Sequence, residues 1–236
     1  MDRVSLFMLH VICTQCSYAA TFSHIFLFLG FLSHLVRLLD IPTTTPQLVG
    51  QLTPNADNKV GCSCLAACGA DNSHLVASAG WNGQFQLWDI RQSSSSTASA
   101  VSSLELPGKA FGMDIHQEQH RVVVATSGRR TCIVDIRNPS TPELVLDRES
   151  SLKFQTRCVQ FFPDGHSLAL GSVEGRVGIE FLEELALPAS MKKYAFKCHR
   201  VNDTVYPVNC IAFHPRILGT FATGGCDGTV GKYNGF

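Results

Sequence analysis

Charge is missing from the front of this 236-residue chain: between Arg3 and Arg37 there is no Asp, Glu, Lys or Arg. That gap leaves three readings. The stretch "SYAATFSHIFLFLGFLSHLV" is long enough to span a bilayer. It also suits a buried strand or helix of a soluble domain. The third reading is a front end that is not the natural start of the protein. His10, Gln15, His24 and His34 dilute the membrane signal. A secretory signal is disfavoured, because Asp2 cancels Arg3 and the apolar run is too long. Net charge is lacking too: 19 basic residues face 19 acidic ones, which argues against nucleic-acid binding driven by bulk charge. No Gly-rich phosphate loop or dinucleotide fingerprint occurs. His199 has no Ser or Cys nucleophile with an identifiable orienting acid. In a strand the neighbouring Cys198 would point to the opposite sheet face. No enzyme and no cofactor are expected.

Cysteine, in contrast, is plentiful, with ten residues. Cys13 and Cys16 form a CxxC, Cys62, Cys64 and Cys68 cluster, and the others are scattered through apolar stretches. A disulfide scaffold would be shorter and richer in loops. Free, partly buried thiols in a reducing compartment fit better. Zinc needs four ligands at workable spacing, and Cys62-Ser-Cys64 has no matching second pair, so no metal is expected.

The phrase "LVASAGWNGQFQLWDIR" (75–91) holds an apolar run, a Trp-Asn-Gly turn and an alternating strand. Asn and Gly tolerate positive φ, so it reads as a hairpin. The pattern returns in "VVVATSGRRTCIVDIRN", "LALGSVEGRVGIEFLE" and "FATGGCDGTVGKYNG", and "HLVRLLDI" resembles the tail of one more. Matching ends fall near Asp40, Asp89, Asp135, Phe181 and Asn234, about 45 to 53 residues apart. A repeat of about 40–45 residues with a Trp-Asp ending marks WD40 blades, and loop insertions lengthen it. The Ser-rich "RQSSSSTASAVSSLELPG" reads as one such loop. "GKAFGMDIHQ", "TRCVQFFPDG" and "VNCIAFHPR" supply a further strand before each hairpin, giving about four antiparallel strands per blade. The fold expected is all-β, a WD40 β-propeller over residues 34–236. Four blades are well marked and a fifth is partial, so the ring is expected to be incomplete, as in a fragment or truncated chain. Residues 1–33 form a separate apolar segment whose nature stays open.

From Arg148 onward, "RESSLKFQTRCVQFFPDG", "GSVEGRVGIEFLE", "KKYAFKCHRVND", "YPVNCIAFHP" and "FATGGCDGTV" resemble the WD40 spindle-assembly-checkpoint proteins of the budding-uninhibited-by-benzimidazole group. The mRNA-export WD40 proteins of the Rae type are a sister group with similar "EGRV" and "FKCHR" phrases. "SSLKFQTR", "KKYAFKCHR" and "YPVN" lean toward the checkpoint side. The resemblance is strong over about Arg121 to Gly228 and moderate from Leu75; no match is seen before about His34. It implies a seven-bladed, non-catalytic adaptor. Its partners would be a checkpoint kinase and a related pseudokinase carrying GLEBS motifs, and phosphorylated Met-Glu-Leu-Thr repeats of a kinetochore scaffold. The implied location is nucleus and kinetochore with a cytoplasmic pool. The family's basic contact residues match Arg157 in "QTR", Arg176 in "EGR" and Lys197 in "FKCHR". Tyr233-Asn234 departs from Trp-Asp, and the aromatic GLEBS contacts expected of the first blades have no counterpart in the sequence.

On their own residues, Arg157, Arg176 and Lys197 read either as a cationic patch at equivalent places in successive blades or as rim charges pairing with Glu174 or Asp164. The resemblance favours the patch. Arg129-Arg130 reads equally as a solvated turn or a contact. Trp81 and Trp88 read as blade packing, and Asp114 as an acid that tightens a blade. Two alternatives to the checkpoint role stay open. One is the export role, contacting a nucleoporin and RNA through a rim extended by Lys192, Lys193 and Arg200. The other is a truncated fragment that binds nothing. Membrane contact stays open on account of the apolar N-terminus. For that segment, a reporter fused after Asp40 is expected to be neither cleaved nor secreted when followed through cells; uncleaved retention in membranes would instead favour the anchor.

Overall fold

The computed structural model describes the backbone of strands β1 (Phe26–Gly30), β2 (Val36–Asp40) and β3 (Gln47–Leu52), and residues 61–68, 74–89, 91, 100–182 and 193–234 with their side chains. Cys13, Cys16, Lys192 and most of the apolar front and the Ser-rich loop lie outside the described residues. Among the described residues there is no α-helix, hence none long and apolar enough to cross a membrane. Strand β1 falls inside the apolar 1–33 stretch and pairs antiparallel with β2, which pairs with β3.

Three four-stranded antiparallel sheets follow. The first is β4 (Cys62–Ala67), β5 (Leu75–Gly80), β6 (Gln84–Asp89) and β7 (Ser102–Glu105). The second is β8 (Ala110–His116), β9 (Arg121–Thr126), β10 (Arg130–Asp135) and β11 (Glu143–Glu149). The third is β12 (Thr156–Phe161), β13 (Ser167–Ser172), β14 (Arg176–Phe181) and β15 (Tyr194–Lys197). A short ribbon, β16 (Arg200–Val201) and β17 (Thr204–Val205), leads into a last sheet of β18 (Val208–Phe213), β19 (Thr220–Gly225) and β20 (Val230–Asn234). Each sheet meets the next through its first strand: β4 against β8, β8 against β12, β12 against β18, with β1 approaching β4. Sheets that touch along their first strands and splay outward are the blades of a propeller. Among the described residues there are four blades, with the β1–β3 sheet as a partial fifth.

The middle strands are buried on both faces, so their sequences run apolar without interruption. On β9, Val122 and Val124 join Phe85, Leu87, Cys132 and Val134 in the core between the first two four-stranded blades. Their neighbours Val123 and Ala125 turn to Ile133, Val159, Leu168 and Leu170 in the next. Val177, Ile179, Val208, Ile211 and Phe221 fill the gap to the last blade, with the rings of Phe162 and Phe213 tilted against each other, centroids 4.4 Å apart. Trp88 is buried as expected, its Nε1 donating to Ser78 Oγ at 2.8 Å. Trp81 corrects the same expectation: it is 43% exposed. Gly83 at φ 75° closes the β5–β6 turn tightly and leaves Trp81 on its outside.

Asp114 tightens the assembly from a strand rather than a loop. On β8, its carboxylate accepts the Phe161 N–H of β12 at 2.8 Å, joining two blades. Part of the residue is exposed, but the carboxyl lies deep between the sheets, and burial pushes its pKa up to about 6, against the pull of the Phe161 and Ile115 N–H groups. The native carboxyl therefore holds its proton more tightly than an unfolded Asp, whose pKa is about 3.9. Its contribution to stability is full below about pH 4 and falls as pH rises to about 6. Asp114→Asn is expected to remove that slope while keeping an acceptor for Phe161, which urea unfolding of both chains between those pH values will measure.

Candidate functional site

A repeated irregularity builds one end of the blades. The pairing of each first strand with its second shifts by one residue near its start: between Cys62 and Cys64, Ala110 and Gly112, Thr156 and Cys158, and Val208 and Cys210. The skipped residues are Ser63, Phe111, Arg157 and Asn209. A β-bulge drops one residue from the ladder and re-aims its side chain. The bulges lie against one another. A Cβ on Gly112 would sit 3.1 Å from Cys158 Cα and 3.2 Å from the Arg157 carbonyl, so a side chain here would make the neighbouring strand give by a few tenths of an ångström. Ser63 Oγ donates to the Ala110 carbonyl at 2.8 Å across one blade junction. Arg157 Nε donates to Asn209 Oδ1 at 2.7 Å across another. Asn209 Nδ2 in turn lies 3.0 Å from the exposed Cys226 Sγ.

The structure brings Arg157, Arg176 and Lys197 to this end, but on one blade rather than on successive ones. Arg157 is the bulge residue of β12, Arg176 opens β14 and Lys197 closes β15. The residues equivalent to Arg157 in the other blades are Ser63, Phe111 and Asn209. Arg176 and Lys197 are direct cross-strand partners. Like charges placed so repel, and Glu174 in the β13–β14 turn relieves part of this. Its Oε1 is 3.3 Å from Arg176 Nε and 3.8 Å from Arg200 Nη2, and Arg200 also donates to the Glu174 carbonyl at 3.0 Å. Pairing with Glu174 therefore holds for Arg176. Lys197 is exposed and has no polar partner among the described residues. Arg offers a planar fork to an oxyanion and Lys a point charge.

Exposed aromatic side chains lie at the same end. Trp81 flanks the β5–β6 turn, Phe111 is the β8 bulge residue at 39% exposure, and Phe154 precedes β12 at 50%. Sequence reasoning missed Phe111, Phe154 and Asn209. Aligning the three-residue starts Cys-Ser-Cys, Ala-Phe-Gly, Thr-Arg-Cys and Val-Asn-Cys would have exposed the column that holds two of them. The Arg129-Arg130 turn is partly exposed, and both of its arginines are paired. Arg129, at φ 61°, pairs with Glu149 and donates to the Leu152 carbonyl at 3.0 Å, and Arg130 pairs with Asp147 at 2.7 Å.

One arrangement imitates a catalytic triad. His199 Nδ1 lies 2.9 Å from Asp227 Oδ1, and its Nε2 lies 2.7 Å from Thr223 Oγ1. Cys198 and His199 are both buried in the connection after β15, not alternating on a strand. Thr223 is wholly buried and the His199 side chain 1% exposed, so no substrate reaches the hydroxyl. The group ties the ribbon entry to the β19–β20 turn. Burial pushes the Asp227 carboxyl up, but hydrogen bonds from Thr229 and His199 together hold it below its ordinary value. Burial also raises the thiols, Cys62 to about 11 and Cys64 to about 12, so neither is a ready thiolate. Among the described residues no three His, Cys, Asp or Glu side chains converge as metal ligands do.

No family model matches the chain. It is similar to the mitotic checkpoint protein BUB3.1 of Arabidopsis thaliana, at 50% identity over 164 residues, covering 68% of this chain and 46% of the relative. It is 36% identical to the mitotic checkpoint protein bub-3 of Caenorhabditis elegans over 212 residues, covering 88% and 57%. It is 34% identical to a poly(A)+ RNA export protein of Schizosaccharomyces pombe over 206 residues, covering 85% and 53%. The chain spans about half the length of the curated relatives it matches. The repeating blades agree with the WD40 propeller fold, and by identity the chain is similar first to the BUB3 mitotic checkpoint proteins and next to the RAE1 and GLE2 export proteins.

Proposed function

We propose that this chain is a non-catalytic adaptor of the mitotic spindle assembly checkpoint. Its bulge-bearing end binds a GLEBS-type segment of a checkpoint kinase or pseudokinase and phosphothreonine of a kinetochore scaffold, and it works in the nucleus and at kinetochores. The observation that carries this reading is the convergence of Arg157, Arg176 and Lys197 on one blade end, beside exposed aromatics that suit the apolar residues of a peptide. Arg157 is held in place by Asn209, while Lys197 has no competing partner among the described residues. A phosphothreonine brings about −1.5 to −2 charge, which this patch favours over the unmodified side chain.

The test is calorimetry on the chain with GLEBS and phosphorylated Met-Glu-Leu-Thr peptides. Losing one desolvated charge partner costs roughly 2–5 kcal/mol, and each decade of affinity is about 1.4 kcal/mol. Arg157→Ala, Arg176→Ala and Lys197→Ala are each expected to weaken binding at least tenfold, by about a decade or more. Arg216→Ala serves as the control. Arg216 sits in the β18–β19 connection at the other end of the blade, exposed, its backbone N–H donating to His214 Nδ1 and its side chain without a polar partner among the described residues. Equal losses in the control, or no effect of phosphorylation, would refute the assignment. Poly-uridine RNA run alongside decides the export role: tight, steeply salt-dependent RNA binding without peptide binding would replace the checkpoint reading.

A further inference from the structure

The registers of the middle strands put Glu180 of β14 level with Trp88 of β6, Val134 of β10 and Tyr233 of β20. Three blades fill this position with an aromatic or aliphatic side chain. The blade that carries Arg157, Arg176 and Lys197 fills it with a carboxylate that is 3% exposed. A charge is kept in such a place only when it is paired and hydrogen-bonded, and Glu180 is fully engaged. Its Oε1 accepts the Ser151 N–H and Oγ at 2.7 Å each and the Ser150 Oγ at 3.2 Å. Its Oε2 lies 3.1 Å from Arg148 Nη2, which also donates to the Phe181 carbonyl.

All these donors come from one segment, 148–151, at the end of β11. The segment runs on over the same face of β14. Alternation puts Arg176, Gly178 and Glu180 on that face, with Val177 and Ile179 in the opposite core. Leu152 is buried directly over Gly178, where a Cβ would meet its Cγ at 3.1 Å. The Leu152 N–H donates to Ser150 Oγ and its carbonyl accepts Arg129. Lys153, Phe154 and Gln155 follow, and Gln155 Nε2 donates to the Thr126 carbonyl at 2.9 Å just before the bulge at Arg157.

We propose that Glu180 and Arg148 are positioning residues for peptide binding: the clamp of Glu180 on Ser150 and Ser151, braced by Arg148, fixes the 150–157 segment and so sets where Phe154 and Arg157 stand at the blade end that carries Arg176. The clamp rests on the reading of this face as peptide-binding. A buried ion pair is a poor source of stability and a hydrophobic replacement is often neutral or better, whereas a loosened binding segment loses affinity because it must be ordered on binding. This separates the clamp from a merely structural role.

The test compares the full chain with the Arg148→Met, Glu180→Val double variant, which restores the kind of residue found at Val134. A second variant, Ser150→Ala with Ser151→Ala, cuts the clamp from the loop side and leaves β14 untouched. Amide hydrogen exchange, over 150–157 and over the core strands, and calorimetry with the phosphorylated Met-Glu-Leu-Thr peptide are measured on each. The expected result is faster exchange in 150–157 in both variants while the core strands of the blades keep their protection, and an affinity loss of about tenfold, one decade. Unchanged affinity or unchanged exchange in the Ser variant overturns the clamp, even if the double variant fails to fold. Failure of the unsubstituted chain to bind the peptide overturns the functional reading instead, and exchange over 150–157 still decides whether the clamp orders the segment.

Discussion

The inner blades depend on being covered from both sides. A sheet of three or four strands whose middle strands bury both faces has no stable existence alone. Val122 and Val124 need the blade before them, and Val123 and Ala125 need the blade after. The apolar area removed from water, at about 25 cal/mol per Å², is thus shared between neighbours and belongs to no blade by itself. Packing each first strand against the next also brings the blade ends into one surface. Fold and candidate site are consequences of the same stacking.

The bulges convert that stacking into a surface with chemistry. Within a regular ladder, a residue near the start of a first strand would alternate between two packed faces. Ser63, Phe111, Arg157 and Asn209 are skipped by the ladder, and two junctions are bridged from these positions, by Ser63 to the Ala110 carbonyl and by Arg157 to Asn209. Arg157 gains its partner Asn209 only because two bulges abut. The charge pair Arg176 and Lys197 arises differently, from simple cross-strand register on the outer part of the blade.

Much of the architecture was legible because hairpin turns and buried runs leave local marks. Trp-Asn-Gly, Glu-Gly and Asp-Gly turns flanked by apolar strands located β5–β6, β13–β14 and β19–β20 to within a residue or two. The three basic residues were legible as strand ends, and they do gather at one end. Their grouping on a single blade was not, since which strand is the outer one depends on pairing between segments that the sequence does not number. Trp81 misled because residue type argued for burial while turn geometry set it outside. Glu180 went unnoticed because a lone Glu in an alternating strand looks solvent-facing. Only the register shows it occupying the place of Trp88 and Val134.

The bulge column has a consequence for how such proteins diversify. A side chain released from the ladder is freed from the pleat's alternation, and the four blades accordingly hold serine, phenylalanine, arginine and asparagine there on one scaffold. Each blade then contributes one letter to a short word, with Arg157 and Asn209 read as a pair. Two propellers with interchangeable cores can spell different words, which gives related chains a route to separate vocabularies of partners without renegotiating how they fold.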